Sequence, residues 1–218
     1  MKDNMKNYRI VIISRPLSKS MEEDGICLKS VTKIPRKKED TIYDTVTKFK
    51  EILSRYPESI SLKRLRCDQK TSLEKIINLH DADGIRDLNQ VRKMSHKIAA
   101  GYHIFSKDNI PNIKIVTSAK REKILFDGHH STLAYMLNDH QYLGEIPYLE
   151  VLNREKKPIT DPEIHAFFGK HSETIKDKNW RNFVINWQRE ESHQLERREQ
   201  KNMGELLEEL KKERYLNI

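Results

Sequence analysis

Lys123-Ile-Leu-Phe-Asp127 runs straight into Gly128, and an apolar stretch at helical spacing follows with Leu133, Ala134, Met136 and Leu137. The first segment reads as a strand over Lys123–Phe126 and the second as a helix over Ser131–Asn138, with Asp127-Gly128 as the turn between them. A chain that passes from strand to helix in two residues needs a sheet with helices packed on it. Other segments agree. Tyr8–Ser14, Ser59–Leu65, Ile113–Thr117 and Ile146–Leu152 read as strands. Asp40–Arg55 carries Ile42, Val46, Phe49, Ile52 and Leu53 at helical spacing. A second helix begins at Asp87 or Asn89 and closes at Gly101, and Ser72–Leu79 reads as a helical turn or two. Met21–Lys38 reads as irregular, punctuated by Gly25 and Pro35. With only 7 Gly and 7 Pro in 218 residues, an all-β sandwich with a turn every few residues is excluded.

The expected fold is therefore mixed α/β in three regions: a basic strand–helix region at 1–57, a core at 58–155, and a helical region at 156–218. In the last region Asp161-Pro162-Glu163 is a good helix start. Trp180, Phe183, Val184 and Trp187 share a helical face, and Met203, Leu206, Leu207 and Leu210 form a second apolar stripe. That stripe docks either on its own core or on a second copy of the chain, as a homodimer contact through the C-terminal helices.

Charge is concentrated at the start. The formal net charge is +8, and residues 1–70 hold 17 Lys/Arg against 10 Asp/Glu. The clusters Arg36-Lys37-Lys38 and Lys63-Arg64-x-Arg66 make nucleic acid a partner to consider. Aromatic residues are not interleaved with these clusters in sequence, as they tend to be in single-strand binders. No stretch approaches the ~20 apolar residues of a spanning helix, so no membrane partner is expected. Cys27 and Cys67 stand 40 residues apart with no C-x-x-C spacing, which offers neither a zinc ribbon nor a redox pair. A reducing cytoplasm is the expected compartment.

Chemistry concentrates at Asp127-Gly128-His129-His130-Ser131-Thr132. The first turn of a helix presents N–H groups and the positive end of its dipole, where a phosphate can sit. Gly128 lets a ligand approach the backbone, and Ser131 and Thr132 carry hydroxyl donors. His129 and His130 can bind phosphate as cations or move a proton. Asp127 can orient a histidine, hold magnesium or act as a base. The competing reading is purely structural: Asp127 as a cap, Gly128 as the turn, one histidine as packing. No G-x-x-x-x-G-K-[ST], G-x-G-x-x-G or G-x-S-x-G occurs, which excludes conventional P-loop, Rossmann and serine-hydrolase sites.

The string Leu-Phe-Asp127-Gly-His-His130-x-x-Leu-Ala134, with Ile110-Pro-x-Ile-Lys-Ile-Val116 before it and Gly144 and Ile146-Pro147 after it, resembles the ParB/sulfiredoxin-like superfamily. The nearest likeness is to its Asp-Gly-His-His branch, which includes free-serine kinases and ParB-like nucleases. It covers roughly residues 58–153. The resemblance implies a small ParB/sulfiredoxin-like core and a phosphate-contacting role for Asp127, Gly128, His129 and His130. It also implies ATP or ADP with Mg2+, and phosphoryl transfer to an unidentified small-molecule or protein acceptor, or nucleotide hydrolysis. The sulfiredoxin cysteine nucleophile has no counterpart, since His129 stands there. The arginine that usually follows the two histidines is replaced by Ser131. The alternative implied by the same family is a non-enzymatic DNA-binding or nuclease-associated module.

Overall fold

The computed structural model describes residues 7–17, 25–56, 61–68, 70–79, 85, 87–169, 180–185 and 203–216. Its centre is one mixed sheet. The strands are β1 (Tyr8–Pro16), β2 (Ile26–Pro35), β3 (Ser61–Arg66), β4 (Ile77–Leu79), β5 (Ile113–Thr117), β6 (Lys123–Asp127), β7 (Tyr148–Asn153) and β8 (Val184–Ile185), in the order β3-β2-β1-β7-β5-β6-β4-β8. The pairs β5–β7 and β4–β6 are parallel, and the others are antiparallel. The fold is mixed α/β. Because β1 lies between β2 and β7, the region at 1–57 and the core at 58–155 build a single sheet.

Helices are α1 (Ile42–Arg55), α2 (Leu88–Ala99), α3 (His129–Met136), α4 (Asp161–Gly169) and α5 (Met203–Leu216). Each face of the sheet buries its own cluster. On one face Ile113, Ile115 and Leu125 meet Val91 and Ile98 of α2, Leu133 and Met136 of α3, and Met203, Leu206, Leu207 and Leu210 of α5. On the other, Val11, Ile13, Val116, Phe126, Leu149 and Val151 meet Val46 and Phe49 of α1 and Ile164 of α4. The helix termini are satisfied locally. Thr41 and Asp44 form a capping box on α1, and the Asp87 carboxylate accepts from the Gln90 N–H at the start of α2. Gly101 follows α2 at φ +85°, the left-handed position expected for it.

Four expectations change. Residues 26–35 form a ten-residue strand rather than an irregular segment, with Gly25 and Pro35 as its boundaries. Its side chains include two lysines, Lys29 and Lys33, and no strict apolar alternation, because only part of each face is covered. Ser72–Leu79 is a 3-10 turn followed by β4. Trp180–Phe183 is a single 3-10 turn, after which Val184 and Ile185 pair with Leu79 and Asn78. Backbone pairing at the sheet edge thus outweighs helical spacing there, and Trp187 and Gln188–Asn202 lie outside the described residues. The cysteines do pair: Cys27 and Cys67 form a disulfide, their Cα atoms 5.2 Å apart, because β2 and β3 are hydrogen-bonded neighbours. The stripe on α5 is buried in the chain's own core. Among the described residues no helix is long and apolar enough to cross a membrane.

Candidate functional site

The β6–α3 junction is shaped first by its glycine. Gly128 has φ +97°, and a Cβ there would lie 2.5 Å from the Asn112 carbonyl oxygen and 2.6 Å from the Ile113 Cα. Left-handed backbone and close approach therefore both demand glycine. The turn is pressed against the start of β5, which fixes where α3 begins.

Helix α3 starts at His129, two residues earlier than its apolar pattern suggests. Of its eight residues only His130 is not buried. A helix buried on nearly every side is a core element held by neighbours around it, here α2, α5 and the sheet. His130 is thus the single α3 side chain that is partly exposed, in the first turn, and its Nε2 is buried. His129 is 6% exposed and belongs to the packing as much as to any site.

Ser131 and Thr132 are placed otherwise than expected. Both are almost fully buried. The Ser131 hydroxyl points at the Met94 sulfur of α2, 3.5 Å away, and the Thr132 hydroxyl donates back to the Gly128 carbonyl at 3.1 Å. Neither hydroxyl faces outward, because the helix is sandwiched on the sides that carry them.

Asp127 ends β6 with its side chain about half exposed, and it is ion-paired with the Lys114 ammonium of β5. The contact depends on a register shift. Ile115 pairs with Leu125 but Lys114 pairs with Asp127, leaving Phe126 as the extra residue of a bulge. Bulges re-aim side chains, and this one brings Asp127 opposite Lys114. Tyr43 of α1 supports it by donating its hydroxyl to the Phe126 carbonyl at 3.1 Å. The Lys114 side chain is 9% exposed and also donates to the Asn112 carbonyl at 3.2 Å. An ammonium has three donors, so it retains capacity for a ligand. Sequence reasoning missed Lys114. The signal was one charge inside the otherwise apolar run Ile113–Val116, since lysine is rarely buried without a partner.

A second cation stands at the same end of the sheet. Arg15, one residue past the Ser14–Tyr148 pair, donates to the Asn109 carbonyl at 2.6 Å and lies over the Phe105 ring at 5.3 Å. Burial lowers its pKa, and it makes no ion pair among the described residues. Lys114 and Arg15 bring positive charge to this end of the sheet.

The other histidines gather elsewhere. His103 lies 3.1 Å from the Tyr135 hydroxyl, which accepts from the Ile104 N–H, and His140 packs edge-on against the same ring. Burial pushes the Tyr135 phenol up to about 12, while burial and then His140 hold His103 below the usual histidine range. Tyr135 lies near the C-terminal end of α3, almost two helical turns from His129. A cavity of about 340 Å³ opens there, lined by Glu74, His140, Tyr142 and Lys211 among others. It is separate from the Asp127–His130 turn.

Among the described residues no group of three or more His, Cys, Asp or Glu side chains is placed to hold a metal ion. Asp127 is the carboxylate present at the turn. That donor set fits magnesium carried in on a nucleotide's phosphates, with one protein carboxylate, rather than an ion held by the protein alone. No protein-family model, no curated protein and no solved structure matches this chain.

Proposed function

We infer that the chain binds ATP or ADP at the β6–α3 turn and acts as a phosphotransferase or nucleotide hydrolase. The observation that carries this reading is the partial exposure of His130 alone on an otherwise buried helix, next to a half-exposed Asp127 paired with a buried lysine. A structural turn needs the glycine and the packing. It does not need a histidine, a carboxylate and a lysine gathered where the helix dipole is positive.

In this reading the α3 N-terminus and His130 receive the phosphates, and Lys114 neutralises their charge from the side. Asp127 holds the nucleotide's magnesium or takes the acceptor's proton. Magnesium, when bound, offsets charge on the β and γ phosphates. Catalysis of this kind is mostly positioning and charge neutralisation, which suits a rigid helix start. His129 supports the turn from inside. Cytoplasmic residence belongs to the same proposal. The Cys27–Cys67 bond weighs against it, since cytosolic thiols are kept reduced, and a thiol titration after alkylation at harvest decides between them.

The test is turnover with γ-labelled ATP and magnesium, following both released phosphate and label transferred to added acceptors. Activity that disappears in Asp127→Asn and His130→Ala, with both variants folded, supports the assignment. Absence of any release or transfer by the wild type, across a range of acceptors and nucleotides, would count against an enzyme.

A further inference from the structure

The register of β2 and β3 places two lysines directly opposite one another: Lys29 pairs with Lys63. Like charges opposite one another on a sheet are destabilising. Among the described residues no carboxylate forms an ion pair with either lysine. Lys29, Lys33 and Lys63 take part in no ion pair among the described residues. Glu150, on the same face but two strands away, is held by Lys123 and Thr117.

All three lysines lie on one face. Along β2, Lys29, Val31 and Lys33 point the same way. They pair in turn with Lys63 and Ser61 of β3, and with Ser14, Ile12 and Ile10 of β1. Helices α2, α3 and α5 pack against the β5–β6 half of this face; on the β1–β2–β3 half Ile10, Ser14 and Cys27 are buried, while Lys33 and Lys63 are exposed. There Leu65 is 48% exposed, and Ile12 and Val31 are only partly buried. The sheet also supplies the aromatic that the sequence lacked near its basic clusters. Pairing of β1 with β2 brings the Tyr8 ring under the Lys33 ammonium, 5.2 Å from its centroid.

We propose that the exposed part of this sheet face binds single-stranded nucleic acid, with Lys29, Lys33 and Lys63 on the phosphates and Tyr8 as a stacking surface. Charge complementarity selects a polyanion. The aromatic and aliphatic side chains between the lysines suit unstacked bases, which a duplex keeps covered. The site is independent of the β6–α3 turn, and either can fail without the other.

The experiment is fluorescence anisotropy of the full chain with a labelled oligo-U or oligo-dT of about twelve nucleotides, titrated at several salt concentrations from about 50 to 200 mM. Wild-type binding should weaken steeply with salt. The double variant Lys29→Gln/Lys63→Gln should lose about tenfold in affinity at low salt. Its log–log salt slope should fall by about 1.4, at about 0.7 for each single-strand phosphate contact. Tyr8→Ala should weaken binding without changing the slope. Lys157→Gln, on an exposed lysine paired with Glu155, should change neither. The double variant should melt at or above the wild-type temperature, because the opposed charges are gone. The proposal is overturned if the wild type does not bind at low salt, or if the double variant binds with unchanged affinity and slope. Equal lysine-dependent binding of a duplex of the same length, or of phosphatidylserine vesicles, would overturn the choice of partner.

Discussion

Replacing Gly128 with alanine separates two physical demands that meet at the candidate site. An L-residue in the left-handed region costs roughly 1–2 kcal/mol. Forcing a methyl group into a packed position costs typically another ~1–3 kcal/mol, and here it would meet backbone atoms 2.5 and 2.6 Å away that cannot rotate aside. The expected loss is about 2–5 kcal/mol. At roughly 2–4 °C per kcal/mol for a chain of this size, Tm should fall by about 10 °C. Gly101 is the internal control. It has φ +85° but nothing within 4 Å of an added Cβ. Gly101→Ala should therefore show the backbone cost alone, about 1–2 kcal/mol and about 4 °C. Thermal melts followed by circular dichroism, with urea midpoints as a second measure, give both numbers. Equal losses in the two variants would refute the close approach of the Gly128 turn to Asn112, and with it the fixed position of the α3 start.

Three further outcomes follow from the packing. The Cys27–Cys67 bond joins residues with a sequence separation of 40, so loop entropy predicts about 4 kcal/mol of stabilisation; reductant should lower the urea midpoint of the wild type and leave a Cys27→Ser/Cys67→Ser variant unmoved. Arg9 is almost fully buried and paired with Glu163 on α4, with burial lowering its pKa to about 10. Glu163→Gln should cost about 3 kcal/mol, because the arginine stays buried without its partner. Burial acts to raise the Glu163 pKa, but bonds from Asn153 and the Thr160 N–H, then the charge of Arg9, hold it below the usual glutamate range. Its stabilisation is therefore present above about pH 4.5 and lost as pH falls through the folded value, so acid should cost the wild type more than Glu163→Gln. Lys114→Met should weaken nucleotide binding at least ~tenfold, the worth of one charge-assisted hydrogen bond, and calorimetry that finds unchanged affinity removes Lys114 from the site.

Much of this architecture was legible because local signals and tertiary packing agree. The α1 stripe, the Asp87 cap with Gly101 after α2, and the Lys123-to-Gly128 strand ending all carry their own punctuation. What failed to show was set by distant partners. β2 is a strand because β1 and β3 flank it, not because Lys29 and Lys33 alternate cleanly with apolar residues. Val184 and Ile185 are drawn to the edge of β4 although their neighbours keep helical spacing. The disulfide depends on which strands pair, and no spacing rule encodes that. At the site, the motif named Asp127 to Thr132 but not the direction of each side chain. Burial of α3 on nearly all sides turned Ser131 and Thr132 inward and left His130 partly exposed, and a bulge at Phe126 selected Lys114 as the partner of Asp127.

The most direct test of the central claim is a thermal-shift panel of ATP, ADP, CTP and GTP, each with and without magnesium, on the wild type and on His130→Ala. A ligand that binds the folded state raises the apparent Tm by linkage. The account predicts a shift with ATP or ADP in the wild type that disappears in a variant whose own melting point is unchanged. No shift with any nucleotide, or the same shift in His130→Ala, would contradict it.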